Sequence, residues 1–250
     1  MPTDHASAWL WHAAILALAG LMGLSGWAIF VHAPVELQMG IVQKIFYVHV
    51  PAAMAMYLGF VLCTLASAVS LWRRSETNAQ ATQASERSAY RRAWADALAV
   101  AGAEVGLLFC VIVLITGPLW ARKAWGVWWT WDPRLTTTLL AGLMYAAYLA
   151  LRGDALLDSV EQRFAAGLSI VALINLPVIH YSVKLWRGQH PTVISDQGGG
   201  LHPAMGTALS LSFVCVFLLA ALLIHLRADL ERRRGQLRAC QRARSLEGMA

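Results

Sequence analysis

Six long apolar segments restrict the possible folds of this sequence more than any other feature. They cover residues 9–31, 50–72, 94–115, 135–151, 164–179 and 204–226. A helix that crosses a bilayer needs about 20 mainly apolar residues, with roughly 17–25 tolerated. The fourth and fifth segments are short, and extra turns from residues 132–133 and 180–181 would lengthen them. Because lipid offers no hydrogen-bond partner to the backbone, each segment must be helical. The sequence therefore predicts an all-α polytopic membrane protein with six transmembrane helices.

The composition supports one integral membrane domain over the whole chain, residues 1–250, in contact with the lipid bilayer. Of its residues, 58% are hydrophobic and only 14% are charged, whereas a soluble domain carries about a quarter charged residues. The first apolar segment is too long for a signal peptide and lacks a basic residue before it, so we expect a retained helix. The net charge of +6 is attributed to the loops beside the bilayer, and no nucleic-acid partner is expected.

The distribution of cations predicts the orientation of the chain. With six spans, both termini share one side of the membrane with the connections after the second and fourth spans. That side holds 14 of the 20 lysines and arginines: Arg73, Arg74, Arg87, Arg91, Arg92, Arg152, Arg163, Arg227, Arg232, Arg233, Arg234, Arg238, Arg242 and Arg244. Basic loops stay in the cytoplasm, so this side is predicted to be cytoplasmic. We expect residues 75–88 to form a flexible polar connection, and the basic tail 227–250 to form a helix along anionic lipid.

The opposite side of the membrane also carries a positive excess, against the usual preference. Its acidic residues are Glu36, Asp132 and Asp196, and its cations are Lys44, Arg122, Lys123, Arg134, Lys184 and Arg187. Two explanations stay open at this point. Something anionic is bound on this side, or these short loops carry cations without a function.

A tryptophan-rich loop is predicted on that side, over residues 117–134. It holds five of the eleven tryptophans in the chain: Trp120, Trp125, Trp128, Trp129 and Trp131. An aromatic belt at the membrane interface accounts for one or two tryptophans per helix end, but not for five in one loop. The excess predicts a flat apolar platform for a large planar aromatic ligand. Asp132 and Pro133 have the sequence of a helix start, with Asp132 as the N-cap of the fourth span.

Two histidines are predicted at about the same depth as this platform. His49 lies where the second span begins and His180 where the fifth span ends, beside Pro51 and Pro177, which can break a helix. A single imidazole at this depth is explained by a hydrogen bond within the core. Two imidazoles beside an aromatic platform favour axial ligation of a planar iron macrocycle. Histidines in the loops (His32, His190, His202) are weaker candidates, and those near the other side (His5, His12, His225) cannot reach the site.

Haem matches the three features of this predicted site. Its ring is flat and apolar, its iron binds imidazole, and its two carboxylates need cations. The predicted binding residues are His49 and His180 for the iron, Trp120, Trp125, Trp128, Trp129 and Trp131 for the ring, Asp132 at the platform's exit, and Arg122, Lys123, Arg134, Lys184 or Arg187 for the carboxylates.

The motifs around these residues resemble the CcmC family of haem-handling membrane proteins in cytochrome c maturation. Residues 125–132 read WGVWWTWD, which is similar to the WWD signature of that family, and the contexts YVHVPAA at 47–53 and NLPVIHYSV at 175–183 match as well. The resemblance extends from the first span to the fifth. It implies that His49 and His180 are the axial ligands of haem b, held at the outer face of a bacterial inner membrane. It also implies loading of haem onto the chaperone CcmE, with CcmA, CcmB and CcmD as further partners.

Other functions remain possible on the sequence alone. They are a permease subunit that moves haem with an ATPase partner, a dihaem electron carrier and a structural scaffold. The sequence has no P-loop, catalytic triad, HExxH or paired acidic motif, so presentation of a ligand is expected rather than turnover of a substrate. Glu104, midway along the third segment, is a candidate for a proton or ligand path or a subunit contact. Glycine spacing at 102 and 106, and at 20, 23 and 26, predicts close helix approach.

Overall fold

A computed structural model describes residues 5–79, 85–153, 159–186 and 201–247. Within these ranges the chain forms six long helices and no β-strand. They are α1 (His5–Trp27), α2 (Phe46–Ala79), α3 (Ser85–Trp125), α4 (Pro133–Gly153), α5 (Ser159–Trp186) and α6 (Pro203–Glu247). A π-helical turn (Ala28–His32) extends α1, and a 3₁₀ turn (Ile41–Ile45) leads into α2. Each long helix contains a stretch long and apolar enough to cross a membrane. The predicted class, an all-α polytopic membrane protein, is therefore confirmed.

The tryptophan-rich loop is shorter than the predicted range 117–134. Helix α3 continues through Pro118 and ends only at Trp125, and α4 begins at Pro133, so residues 126–132 alone are non-helical. Gly126 follows the last residue of α3 with φ of 78°, the left-handed conformation that commonly terminates a helix. We call the end of the bundle that carries residues 126–132 the Trp face.

The helix ends differ from the predicted segment ends at two prolines as well. Pro51 lies inside α2 and Pro177 lies inside α5, so neither breaks its helix. In a bilayer, neighbouring groups can satisfy the carbonyl that a proline leaves without a donor, and the helix persists. The predicted flexible connection 75–88 is also largely helical, because α2 continues to Ala79 and α3 begins at Ser85. Residues 80–84 lie outside the described ranges.

Helices α2 and α3 pack closely because glycines line both surfaces. A Cβ atom on Gly59 would lie 2.7 Å from the Cα atom of Gly106, and a Cβ atom on Gly102 would lie 2.8 Å from the carbonyl oxygen of Gly59. The predicted close approach at Gly102 and Gly106 is therefore confirmed. For Gly20, Gly23 and Gly26 in α1, a Cβ atom on each would have no neighbour within 4 Å among the described residues, so the predicted close approach to another helix of this chain is wrong.

Aromatic rings and hydroxyl groups join α2, α4 and α5 in the middle of the bundle. The rings of Phe60 and Tyr145 stack with centroids 3.7 Å apart. The Tyr145 hydroxyl lies 3.2 Å from the Thr64 hydroxyl, which donates to the carbonyl of Ser169 at 2.9 Å. These groups are buried, so their hydrogen bonds replace the water that the bilayer lacks.

Helix α1 packs antiparallel to α6. Its Trp11 ring stacks on His225 at 5.4 Å, and its Ser25 hydroxyl lies 3.3 Å from the Ser212 hydroxyl. His225 is therefore far along α6 from Pro203, where that helix begins at the Trp face. This position agrees with the prediction that His225 cannot reach a site beside the tryptophans.

Glu104 has a partner within the chain. The Arg227 guanidinium donates to both carboxylate oxygens of Glu104, through Nε and through Nη2 at 2.7 Å, and also to Glu231 at 3.0 Å. This ion pair explains the carboxylate without a proton path or a subunit contact. The same ion pair holds the basic tail against α3, because α6 continues without a break to Glu247. A second contact between these helices is made by Arg232, whose guanidinium lies over the Trp94 ring at 5.1 Å.

Lys44 and Glu36 near the Trp face have structural roles. The Lys44 ammonium is buried and donates to the carbonyls of Ile29 and Ala33, both at 2.6 Å, so it satisfies the end of the first helix. Hydrogen bonds from the backbone N–H groups of Met39 and Gln38 lower the pKa of the Glu36 carboxyl below its ordinary value. Both charges, including Lys44 among the cations of this side, therefore have partners within the chain.

Candidate functional site

A cavity of about 470 Å³ opens at the Trp face between α2, α3, α4 and α5. Most of its lining is apolar, including the side chains of Phe46, Met54, Met56 and Val113, and Tyr57 adds an aromatic wall. Its volume falls within the range of about 300–1,000 Å³ that is usual for small-molecule sites. The remaining lining includes His49, His180, Trp120, Trp125, Trp129 and Arg134, all of which belong to the predicted site.

His49 is held in the first turn of α2, against α3. Its ring is half-buried, and its Nδ1 atom lies 2.8 Å from the Thr116 hydroxyl. A Cβ atom on Gly117 would lie 3.5 Å from the ring's Cε1 atom, so the ring rests against the backbone of α3. The imidazole is therefore oriented by a neighbouring helix as well as by its own.

His180 lines the same cavity from α5, and its ring is exposed. The ring meets Tyr181 edge-on at 5.1 Å. Its backbone carbonyl accepts a hydrogen bond from the Arg134 guanidinium at 3.0 Å, which ties the end of α5 to the start of α4. The structure thus brings together two imidazoles that are 131 positions apart in the sequence.

The five predicted tryptophans divide into two groups. Trp120, Trp125 and Trp129 line the cavity, and the first two meet edge to face at 5.5 Å. Trp128 and Trp131 do not line it, and their side chains are 57% and 76% exposed. The indole N–H of Trp129 is buried and has no hydrogen-bond partner among the described residues, so it is a donor that a ligand could satisfy.

Arg134 is the cavity's cation among the described residues. Arg122 instead donates to the carbonyl of Gly126 and lies over the Trp128 ring at 6.0 Å. Lys123 is exposed and does not line the cavity. The side chains of Lys184 and Arg187 lie outside the described part of the chain, so their predicted roles stay predictions.

Asp132 acts as the predicted helix cap. Its carboxylate accepts the backbone N–H groups of Arg134 at 2.9 Å and Leu135 at 3.0 Å. These are donors that the first turn of α4 leaves without intrahelical partners. Asp132 does not line the cavity, so it contributes to the site by fixing the start of α4 and the position of Arg134.

Several residues in or beside the cavity were not predicted as site residues from the sequence. Tyr57 and Thr138 form part of the wall, and Thr116, which does not line the cavity, contacts the His49 ring. Thr116 directly precedes Gly117, the first residue of the predicted tryptophan-rich loop. No local pattern pairs it with a histidine 67 positions away, because such a contact depends on how two helices are aligned.

The fold and the cavity define a class: a six-helix membrane protein with a two-histidine aromatic pocket at one end of its bundle. The family model described as heme exporter protein C, CcmC, matches residues 3–242. A heme exporter protein C of Bradyrhizobium diazoefficiens is 34% identical over 236 residues, covering 90% of this chain and 79% of that protein. The heme exporter protein C of Escherichia coli K12 is 33% identical over 223 residues, covering 87% and 82%. The chain therefore belongs to the heme exporter protein C family.

Proposed function

We propose that this chain binds haem b in the cavity at the Trp face and presents it for transfer during cytochrome c maturation. One observation carries the proposal. Imidazoles from α2 and α5 line the same cavity as three tryptophans and an arginine. These are the groups that the iron, the ring and the carboxylates of haem each require.

The residues of the cavity fit haem better than a bare metal ion. Within the described ranges, no three histidine, cysteine or acidic side chains converge to hold an ion. Two imidazoles are too few ligands for a closed metal site, but they complete the coordination of an iron that already has four nitrogen ligands from a macrocycle. The apolar walls and the half-open mouth suit a large flat cargo.

Each group has a separate task in holding the cargo. His49 and His180 bind the iron from two helices. Trp120, Trp125 and Trp129 cover part of the ring, and an aromatic contact of this kind contributes about 0.5–1.5 kcal/mol beyond the area that it buries. Arg134, fixed through its backbone by Asp132, neutralises a carboxylate of the cargo.

Delivery follows from the position of the cavity at the end of the bundle. The exposed Trp128 and Trp131 provide an apolar rim on which a partner can dock. We propose that this partner is the chaperone CcmE and that CcmA, CcmB and CcmD complete the assembly, as the resemblance implies. Covalent attachment to the chaperone would use the reactivity of the vinyl groups of haem, while the chain aligns the two partners.

We further propose that the Trp face points outward from the bacterial inner membrane and that both termini are cytoplasmic. The basic end of α6 supports this orientation. Arg227, Arg232, Arg233, Arg234 and Arg238 follow one another along it, and such clusters remain on the cytoplasmic side.

A permease subunit of an ABC-type haem exporter is the second candidate, because the relatives carry the name heme exporter. The packing favours presentation over passage. Beneath the cavity, Phe60 and Tyr145 are stacked at 3.7 Å and Thr64 bridges towards α5. Haem would have to separate these contacts to cross the bundle.

Retention of haem by the isolated chain distinguishes the two functions. The full chain should be purified in detergent from haem-supplied cells, without any ATPase, and then mixed with haem-free CcmE. We expect haem to remain on the chain through gel filtration and to move to CcmE without ATP. Haem that is retained or moved only when an ATPase and ATP are present would support the permease and contradict presentation.

A further inference from the structure

The Thr116 hydroxyl has only one hydrogen atom, and its neighbours determine where that hydrogen points. Its oxygen lies 2.7 Å from the carbonyl oxygen of Ile112, one turn earlier in α3, and 2.8 Å from the Nδ1 atom of His49. A carbonyl oxygen can only accept a hydrogen bond. Two oxygen atoms this close repel each other unless a hydrogen lies between them, so the hydroxyl hydrogen goes to Ile112, in the back-bond that threonine commonly makes in helices.

The contact with His49 must then run in the opposite direction. With its hydrogen used, the Thr116 oxygen can only accept, so the ring donates through Nδ1–H. A neutral imidazole carries one ring hydrogen, and the other nitrogen keeps a lone pair. For His49 that other nitrogen is Nε2. The lone pair is the group that binds a metal.

We propose that Thr116 is a positioning residue that holds His49 as the Nδ1–H tautomer and so makes Nε2 the iron-binding atom. This inference rests on the proposed haem function. Thr116 acts through the imidazole and does not touch the cargo. It connects the iron ligand of α2 to the backbone of α3, beside Gly117, where a Cβ atom would lie 3.5 Å from the ring's Cε1 atom.

The hydrogen bond also changes the strength of the iron ligand. An acceptor on Nδ1–H makes the imidazole more basic, and losing such a partner typically weakens metal binding about 10–100-fold. A more basic ligand also favours ferric over ferrous iron. His180, which is exposed and has its ring edge on Tyr181, provides no comparable anchor among the described contacts.

The tautomer can be measured on the haem-free chain. The full chain would be labelled with ¹⁵N-histidine, and the His49 signals would be identified by their loss in His49→Gln. Nitrogen chemical shifts distinguish a protonated from an unprotonated ring nitrogen. We expect Nδ1 protonated and Nε2 unprotonated. The opposite pattern in the wild type would overturn the proposal, whatever happens in any Thr116 variant.

Haem titration of matched variants tests the consequence. Thr116→Val removes the acceptor and keeps the shape, Thr116→Ser keeps the acceptor, and Thr137→Val removes a similar back-bond to Pro133 at 2.6 Å outside the cavity. We expect roughly 10-fold weaker haem binding and a more positive midpoint potential for Thr116→Val alone. An unchanged midpoint potential in Thr116→Val would overturn the proposal. So would haem binding that is as weak in Thr116→Ser as in Thr116→Val.

His49→Ala separates failure of this inference from failure of the haem function. Haem ligation that is lost in His49→Ala but normal in Thr116→Val would overturn only the role of Thr116. Haem ligation that is unchanged in His49→Ala would contradict the axial assignment itself.

Discussion

Arg134 couples the helix cap, the cavity and one of the two candidate iron ligands. Its backbone N–H is held by Asp132 at 2.9 Å, and its guanidinium donates to the His180 carbonyl at 3.0 Å. The same side chain lines the cavity. A single residue thus connects α4 and α5 and places a positive charge in the wall of the cavity.

Replacing this cation should weaken haem binding more than replacing the others near the loop. A hydrogen bond to a charged group contributes about 1.5–3 kcal/mol, so we expect Arg134→Gln to lower haem affinity roughly 10–100-fold. Arg122→Gln should have a much smaller effect, because that side chain is directed to Gly126 and Trp128. Haem titration of the purified chains measures both.

Arg163→Gln is the matched control, because Arg163 is exposed near the far end of α5. It should bind haem like the wild type. If Arg122→Gln lowered haem affinity and Arg134→Gln did not, Arg134 would not be the cation that binds a carboxylate of haem.

For individual residues, the sequence predicts which residue types belong to the site better than it predicts which side chains line one cavity. His49 and His180 were identified because two imidazoles at matched depth need a partner, and both line one cavity. Trp128 and Trp131 were grouped with the other tryptophans, yet they are exposed beside it. A turn of only residues 126–132 decides which indoles face inward, and its path depends on packing that spacing alone does not contain.

Among the helices, α3 contributes to the site both directly and through its packing against α2. It supplies Thr116, Trp120 and Trp125 at one end, and Gly102 and Gly106 allow it to approach α2 closely. The distance between α2 and α3 therefore sets the position of the His49 ring relative to the tryptophans.

A methyl group at Gly102 should disturb this helix pair. Its Cβ atom would meet the backbone of Gly59 at 2.8 Å and of Cys63 at 2.9 Å, and backbone cannot move aside as a flexible side chain can. We expect Gly102→Ala to destabilise the protein by about 1–3 kcal/mol, as overpacking does, and to reduce haem binding. Thermal unfolding in detergent and haem content measure the two effects.

The control for this substitution is Gly23→Ala in α1, where a Cβ atom has no neighbour within 4 Å. It should be neutral or slightly stabilising, since alanine favours a helix by up to about 1 kcal/mol over glycine. Equal stability of the two variants would contradict the close contact between α2 and α3.

The helices were predictable from the sequence, but their ends were not. Apolar length identifies a helix in lipid because no other backbone structure can be satisfied there. The prolines at 51 and 177 suggested boundaries, yet both lie inside helices. The partner of Glu104 was not predictable from the sequence, because Arg227 is 123 positions away and follows the predicted end of the sixth span.

The whole molecule has two chemically distinct ends. The cavity, with its imidazoles and indoles, lies at the Trp face. The ion pairs Asp96–Arg152 at 2.6 Å and Glu104–Arg227 lie towards the other end. Between them, buried hydroxyls and aromatic rings fill the core. This polarity agrees with the proposed function, in which haem is held at one membrane surface and the basic end lies at the other.

Reporter fusions test the proposed direction of this polarity. At residues 80–84, between α2 and α3, we expect activity from an inserted reporter that functions only in the cytoplasm. At residues 126–132 we expect activity from a reporter that functions only on the outer side of the inner membrane. The reverse pattern would place the haem cavity on the cytoplasmic side and contradict delivery to an outer-face chaperone.

The optical spectrum of the purified chain, recorded beside His49→Ala, His180→Ala and the double variant, tests the central claim most directly. His225→Ala, on the other side of the bundle, is the control. We predict the spectrum of haem with two imidazole ligands in the wild type and in His225→Ala, an altered spectrum or lower occupancy in each single variant, and loss of ligation in the double variant. A colourless wild-type protein from haem-supplied cells, or an unchanged spectrum in the double variant, would contradict the account.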